Sequence, residues 1–253
     1  MTAELYVVAD GKKYVYSVEF NMIHIHDTGD KIIDPTCTEG GYTLHGCTCE
    51  PNAYKDTYTS ALGHEFADGK CTRCGISVLD AFTDVKKGSY CSDAVQWAVA
   101  NGITNGTDAT HFSPNAGCTR GQVVTFLWRA AGKPTVSGNV GFVDVVPGSY
   151  CYEAVKWAVA NGITKGTNAT HFSPKATCTR GQVVTFMYRA TGEPAGGGSN
   201  GFADVAAGSY CYNAVQWAVA NGITKGTDAT HFSPSATCTR GQVVTFLYRA
   251  EFT

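Results

Sequence analysis

The stretch CTRGQVVTF occurs at residues 118–126, 178–186 and 238–246, a spacing of 60 residues with no drift. The likeness extends well beyond it, since residues 88–130 and 208–250 agree at 37 of 43 positions. Self-similarity of this kind means that one supersecondary unit is built three times and buries its apolar face against its neighbours. Whatever chemistry one copy offers, the chain offers in triplicate. Sixty residues is long for a solenoid unit, and with three copies a compact three-fold arrangement fits as well as a stacked one. The joins, AAGKPTVSGNVG and ATGEPAGGGSNG, have the Gly, Pro and Ser content of exposed linkers.

Each copy opens with FTDV, FVDV or FADV, continues GSYC and then reads as two helices. Ser89 is placed to cap YCSDAVQWAVAN, a helix of about a dozen residues whose Tyr90, Ala94, Val95, Trp97 and Ala98 form an apolar stripe and whose stop is Gly102. GITNGTDATHFSP reads as an ordered loop, closed by a Pro that disfavours helix at Ser113. Thr119 caps the second helix, Gln122 completes a capping box, and Cys118 is placed to pack against Val123. Arg120, with Arg180 and Arg240, is left over by this scheme, because a cation in the first turn opposes the helix macrodipole by up to about 1 kcal/mol. Its replacement by Ala is therefore expected to leave folding nearly intact. Either the three arginines are offered to a ligand, or they are surface residues paired with the Asp of the opening turn or simply solvated.

Other recurring residues carry competing readings. Trp97, Trp157 and Trp217 have core spacing, which favours packing over stacking on sugar rings. His111, His171 and His231 would make a metal site only by converging, and loops on the outside of the array are not expected to bring them together. Asp108 and Asp228 become Asn168 in the middle copy, a change that a turn tolerates and a calcium site does not. Cys91, Cys151 and Cys211 stand 27 residues before Cys118, Cys178 and Cys238. A disulfide within each copy, worth roughly 3 to 4 kcal/mol in the chain-entropy model, is the favoured reading, and buried thiols are the alternative.

The order F-x-D-V, aromatic helix start, A-V-x-W-A, N-G-I-T-x-G, F-S-P and T-R-G-Q resembles the S-layer homology family from Phe82 onward. The resemblance implies a mainly α fold in which three two-helix repeats form one pseudo-three-fold body. It also implies a function: non-covalent anchoring of exported proteins to a pyruvylated secondary polymer of the peptidoglycan of Gram-positive cells, with Arg120, Arg180 and Arg240 in grooves between repeats. The family motif is T-R-A-E. Here Gly121 and Gln122, with their equivalents, replace Ala and Glu, so the capping box survives while three acidic groups beside the arginines are lost. The alternative is a self-assembly or adhesion element that binds protein.

Upstream, ELYVVADGKKYVYSVEFNMIHIHD alternates like two strands around an Asp-Gly turn, with His24 and His26 on one side of a strand. The segment then holds five cysteines from Cys37 to Cys74, ending in the knuckle-like C-T-R-C-G. Cys71 and Cys74 with Cys47, Cys49 or His64 would make a tetrahedral zinc site, and disulfides compete with it. This part is similar to small Cys-rich spacer modules of bacterial surface proteins. The expected boundaries are 1–34 for the end of an upstream β-rich domain, 35–77 for the Cys-rich module, and 78–133, 138–193 and 198–253 for the repeats.

Composition narrows the function classes. Eleven cysteines in 253 residues point to an oxidising, exported setting. The first twenty residues lack the pattern of a signal peptide, so the expectation is a fragment whose cargo domain lies upstream. No apolar run is long enough for membrane insertion. Residues 1–81 carry 6 basic and 12 acidic side chains and residues 82–253 carry 13 and 9, too weak a positive balance for nucleic acid but compatible with an anionic polymer. No carboxylate pair, nucleophile elbow or phosphate-binding glycine loop is recognisable, so no enzyme activity and no cofactor beyond a structural zinc are expected.

Overall fold

The computed structural model describes residues 2–19, 29–46, 52–195 and 199–252, and the chain divides into two units, Met1–Leu62 and Gly63–Thr253. The division falls inside the 35–77 segment. His24, His26, Cys47 and Cys49 lie outside the described residues.

In the first unit, β1 (Thr2–Ala9) and β2 (Lys12–Glu19) pair antiparallel with Ala9 opposite Lys12. The intervening Asp10 and Gly11 have φ of 52° and 71°. Two positive φ angles give the turn whose twist suits a two-residue hairpin, which is why Asp-Gly is legible as one. A second sheet runs β3 (Lys31–Ile33), β4 (Tyr42–His45), β5 (Tyr54–Asp56), antiparallel throughout. His45 bridges Asp56 at 2.9 Å and Asp30 at 2.7 Å, and these hydrogen bonds raise its pKa.

The second unit begins with a hairpin, β6 (Phe66–Ala67) and β7 (Lys70–Cys71), and the short helix α1 (Val78–Ala81). Three repeats follow, each with two helices: α2 (Ser92–Ala100) and α3 (Arg120–Ala130), α4 (Tyr152–Ala160) and α5 (Arg180–Ala190), α6 (Tyr212–Ala220) and α7 (Arg240–Arg249). The second helix of each repeat starts as expected. Thr119, Thr179 and Thr239 accept from the N–H of Gln122, Gln182 and Gln242, whose side chains accept from the Thr N–H in return. The first helix does not start as expected. Ser89 is used in a tight turn, its carbonyl accepting from Ser92 N at 3.1 Å, so α2 begins only at Ser92, behind a Cys91 that makes no side-chain cap.

The opening turns lock the loops. Asp84, Asp144 and Asp204 accept the backbone N–H groups of Phe112 and Ser113, Phe172 and Ser173, and Phe232 and Ser233 at 2.7–2.9 Å. Phe82, Phe142 and Phe202 pack at a tilt against those same phenylalanines, with ring centroids 6.0–6.1 Å apart. Within the loop, Asn168 Oδ1 accepts from Thr170 N and His171 N as Asp108 Oδ1 does from Thr110 N and His111 N, so the position needs an oxygen and not a charge.

Packing crosses the repeat boundaries. α3 lies against α4, α5 against α6, and α7 against α2, while α3, α5 and α7 also touch one another. The backbone follows the same order: Cys178 N donates to Cys118 O, Cys238 N to Cys178 O and Cys118 N to Cys238 O, all at 2.8–2.9 Å. This arrangement does not confirm the disulfide expectation. Cys91, Cys118, Cys151, Cys178, Cys211 and Cys238 are buried free thiols, because the second helix of a repeat is seated on its neighbour rather than on its own first helix. Burial pushes the thiols of Cys118, Cys178 and Cys238 up to about 12.

Candidate binding grooves between repeats

The leftover arginine occupies the first turn of each second helix, where it opposes the dipole. Arg120, Arg180 and Arg240 are only 3–4% exposed, and each points into the next repeat in cyclic order. Their Nε atoms donate to Phe172 O, Phe232 O and Phe112 O at 2.8–3.0 Å. Each guanidinium is also held over two rings: Phe172 and Phe186 at 4.9 and 5.1 Å, Phe232 and Phe246 at 4.7 and 5.4 Å, Phe112 and Phe126 at 5.0 and 5.4 Å. A carbonyl and two aromatic faces thus offset the unfavourable dipole. Burial lowers the pKa of all three. The pairing considered with the opening-turn carboxylates is not a direct one: among the described residues none of the three arginines forms an ion pair, Asp84, Asp144 and Asp204 direct their oxygens to backbone N–H groups, and Asp144, Asp204 and Asp84 act on Arg120, Arg180 and Arg240 only through their field, which favours the charged guanidinium.

Each arginine is the floor of a groove built by three repeats. The first groove, about 270 Å³, takes Arg240 from the third repeat, Asn105, Gln122 and Arg129 from the first, and Tyr150 from the second. The second, about 360 Å³, takes Arg120, then Lys165, Gln182 and Arg189, then Tyr210. The third, also about 360 Å³, takes Arg180, then Lys225, Gln242 and Arg249, then Tyr90. Nη2 of Arg180 and of Arg240 is buried without a hydrogen-bond partner. A buried cationic donor with unused hydrogens is costly unless something polar completes it.

Gly121, Gly181 and Gly241 acquire a physical reason here. A Cβ on Gly181 would stand 2.5 Å from Tyr210 Oη and 3.1 Å from Pro234 O, and one on Gly241 would meet Tyr90 Oη and Pro114 O in the same way. Absence of a side chain admits the tyrosine of the next repeat to the groove wall. Arg129, Arg189 and Arg249 escaped the sequence reading although they share the 60-residue period. They close the second helices, where a cation suits the dipole, and their Nη1 atoms donate to Ile103 O, Ile163 O and Ile223 O at 3.0–3.3 Å.

The remaining candidates lie elsewhere. Trp97, Trp157 and Trp217 line none of the three grooves; Trp157 and Trp217 are buried, and Trp97 and Trp217 pack against Tyr248 and Tyr188. His111 and His231 bond to Asp108 and Asp228 in their own loops. His64, Cys71 and Cys74 do come together at the β6–β7 hairpin. At Cys71 burial favours the neutral thiol, but the N–H groups of Cys74, Arg73 and Glu65 and the His64 side chain outweigh it and bring the pKa down to about 5.

Among the described residues no helix is long and apolar enough to cross a membrane. The S-layer homology domain model matches residues 81–124, 141–184 and 201–244. The chain is similar to the surface-layer 125 kDa protein of Lysinibacillus sphaericus, 31% identical over 159 residues, which cover 61% of this chain and 13% of that protein. It is also similar to a cell surface protein of Thermoanaerobacter kivui, 28% identical over 123 residues, 47% of this chain and 16% of that protein. An endoglucanase of Bacillus sp. (strain KSM-635) is 31% identical over 109 residues, 43% of this chain and 11% of that protein. The matched stretch is thus at most 16% of each of these relatives.

Proposed function

Because the chain belongs to the S-layer homology domain family, we propose that it anchors an exported protein to the bacterial cell wall by binding an anionic, pyruvylated secondary polysaccharide in its three inter-repeat grooves. The repeats act as one pseudo-three-fold body, a reading supported by the cyclic Cys-to-Cys backbone bonds and the cyclic helix pairing. The observation that carries the proposal is that the same arginine, Arg120, Arg180 or Arg240, lines each of the three inter-repeat grooves beside a second arginine, a glutamine and a tyrosine. A ketal-linked pyruvate presents a carboxylate, which a guanidinium meets with charge-assisted hydrogen bonds. Lys165 with Arg189 and Lys225 with Arg249 add positive charge to the second and third grooves. The cell surface is the location that the family and the surface-protein relatives support, and the role is attachment rather than catalysis.

The test is sedimentation of the chain with purified cell-wall sacculi before and after acid removal of the secondary polymer, and after selective loss of pyruvate. Binding should disappear on stripping and weaken sharply without pyruvate. Equal binding to stripped sacculi would overturn the polymer as ligand, and capture by a purified surface protein alone would favour adhesion.

A further inference from the structure

We propose that His64, Cys71 and Cys74 form a structural zinc site that pins the hairpin at the start of the second unit. Their ligand atoms, one imidazole nitrogen and two Sγ, all lie within 4.8 Å of one another, and Cys74 Sγ stands 3.5 Å from His64 Nδ1. With Zn–S near 2.3 Å and Zn–N near 2.1 Å, two ligand atoms of a tetrahedral site are separated by roughly 3.5 Å. The Cys74–His64 pair therefore already has that spacing, and Cys71 Sγ lies within 4.8 Å of both.

Backbone bonds hold them in place, and Arg73 adds side-chain bonds to Gly63 O and to Glu65 on either side of His64. Asp68 and Gly69, at φ of 50° and 75°, turn β6 back onto β7 and bring Cys71 beside the segment that carries His64. Thr72 N donates to Glu65 O at 2.8 Å, tying the knuckle to the residue next to His64. Gly75, at φ 75°, donates its N–H to Cys71 O at 2.9 Å and folds Cys74 back toward Cys71. Two thiolates and an imidazole with no carboxylate suit zinc over calcium or magnesium. In the bound state both sulfurs are thiolates, any proton still on them passing to solvent, and the imidazole binds through Nδ1 as the neutral base. One tetrahedral position is left for a fourth donor.

The segment needs such a fastening. Each strand of the hairpin is two residues long, far below what makes a two-stranded ribbon stable by itself. Its apolar attachment is Phe66, whose ring lies 6.2 Å from that of Phe82 at the start of the first repeat. The inference is independent of the groove reading, because none of these three residues lines a groove.

The experiment uses the whole chain, reduced and demetallated under chelator, then titrated with Co²⁺ and Zn²⁺. Cobalt should give thiolate charge-transfer and tetrahedral d–d bands that saturate at roughly one ion per chain and are displaced by zinc. Cys71→Ser with Cys74→Ser, and separately His64→Ala, should lower metal affinity at least about tenfold, while the helical circular dichroism of the repeats persists. Absence of any cobalt band in the wild-type chain would overturn the site. So would undiminished binding by the double variant, which would place the metal on other cysteines, or a native mass showing Cys71 and Cys74 joined as a disulfide.

Discussion

Arg120, Arg180 and Arg240 form the groove floors as one residue held each time by a carbonyl and two rings of another repeat, whereas an exposed loop position lining the same grooves reads Asn105, Lys165 and Lys225. The difference follows from what each position touches. A floor guanidinium satisfies a carbonyl and covers two rings of another repeat, so its shape and donors are demanded by partners that are themselves repeated. The loop residue faces solvent and touches little. Charge can change there at small cost to the fold, and the first groove has become less positive than the other two. A buried position thus preserves the body, and an exposed one sets how strongly each groove attracts an anion.

Alkali should have the largest effect on the floor. The thiols of Cys118, Cys178 and Cys238 are raised by burial from an ordinary 9 to about 12. A folded-state pKa raised in this way means that the stability contributed by the neutral thiols is complete below about pH 9 and is lost as pH climbs toward 12. Thiolate absorbance should therefore rise in the same transition as the loss of helical circular dichroism, whereas disulfide-paired cysteines would contribute no such absorbance.

Arg180→Ala comes next. It orphans Phe232 O and empties the space between Phe232 and Phe246, at a cost of about 3 kcal/mol or more. This reverses the expectation from helix-dipole reasoning that Ala would be nearly neutral, because the dipole effect is smaller than the loss of a buried charge-assisted bond and its packing. The unfolding midpoint in denaturant measures it, and a loss below about 1 kcal/mol would return the arginine to a purely ligand-facing role.

Gly181→Ala should cost about 1–2 kcal/mol by overpacking against Tyr210 and Pro234. Tyr210→Phe in the same chain should recover part of that loss, and a double-mutant cycle reads the coupling. Lys165→Ala with Lys225→Ala should shift stability by less than about 0.5 kcal/mol yet weaken sacculus binding at each of the two grooves by up to roughly fivefold, the scale of an exposed charge contact. Wall binding that is insensitive to this pair, and to added salt, would remove the rim from the comparison. The smallest effect is expected of Asn105→Lys, which should strengthen binding at the first groove by no more than about fivefold, read by the same assay with the other two grooves neutralised.

Much of this was determined by the sequence alone. The triplication, the Asp-Gly hairpin, the loop turns and the three capping boxes were legible because each depends on residues within a few positions of one another: Thr119 needs Gln122, and Asp108 needs Thr110 and His111. Ser89 misled for the same reason, since a good capping residue was judged without the turn that engages its backbone. The burial of Arg120 rests on Phe172, 52 residues away, and that of Arg240 on Phe112, 128 residues away. The thiol of Cys118 is held neutral up to about pH 12 because burial desolvates it, and a side chain at Gly181 would crowd a tyrosine from the next copy. Helix caps and tight turns are bonds between chain neighbours, so composition and order suffice to place them. Desolvation and steric exclusion are produced by whichever distant atoms arrive, and the tertiary structure decided those.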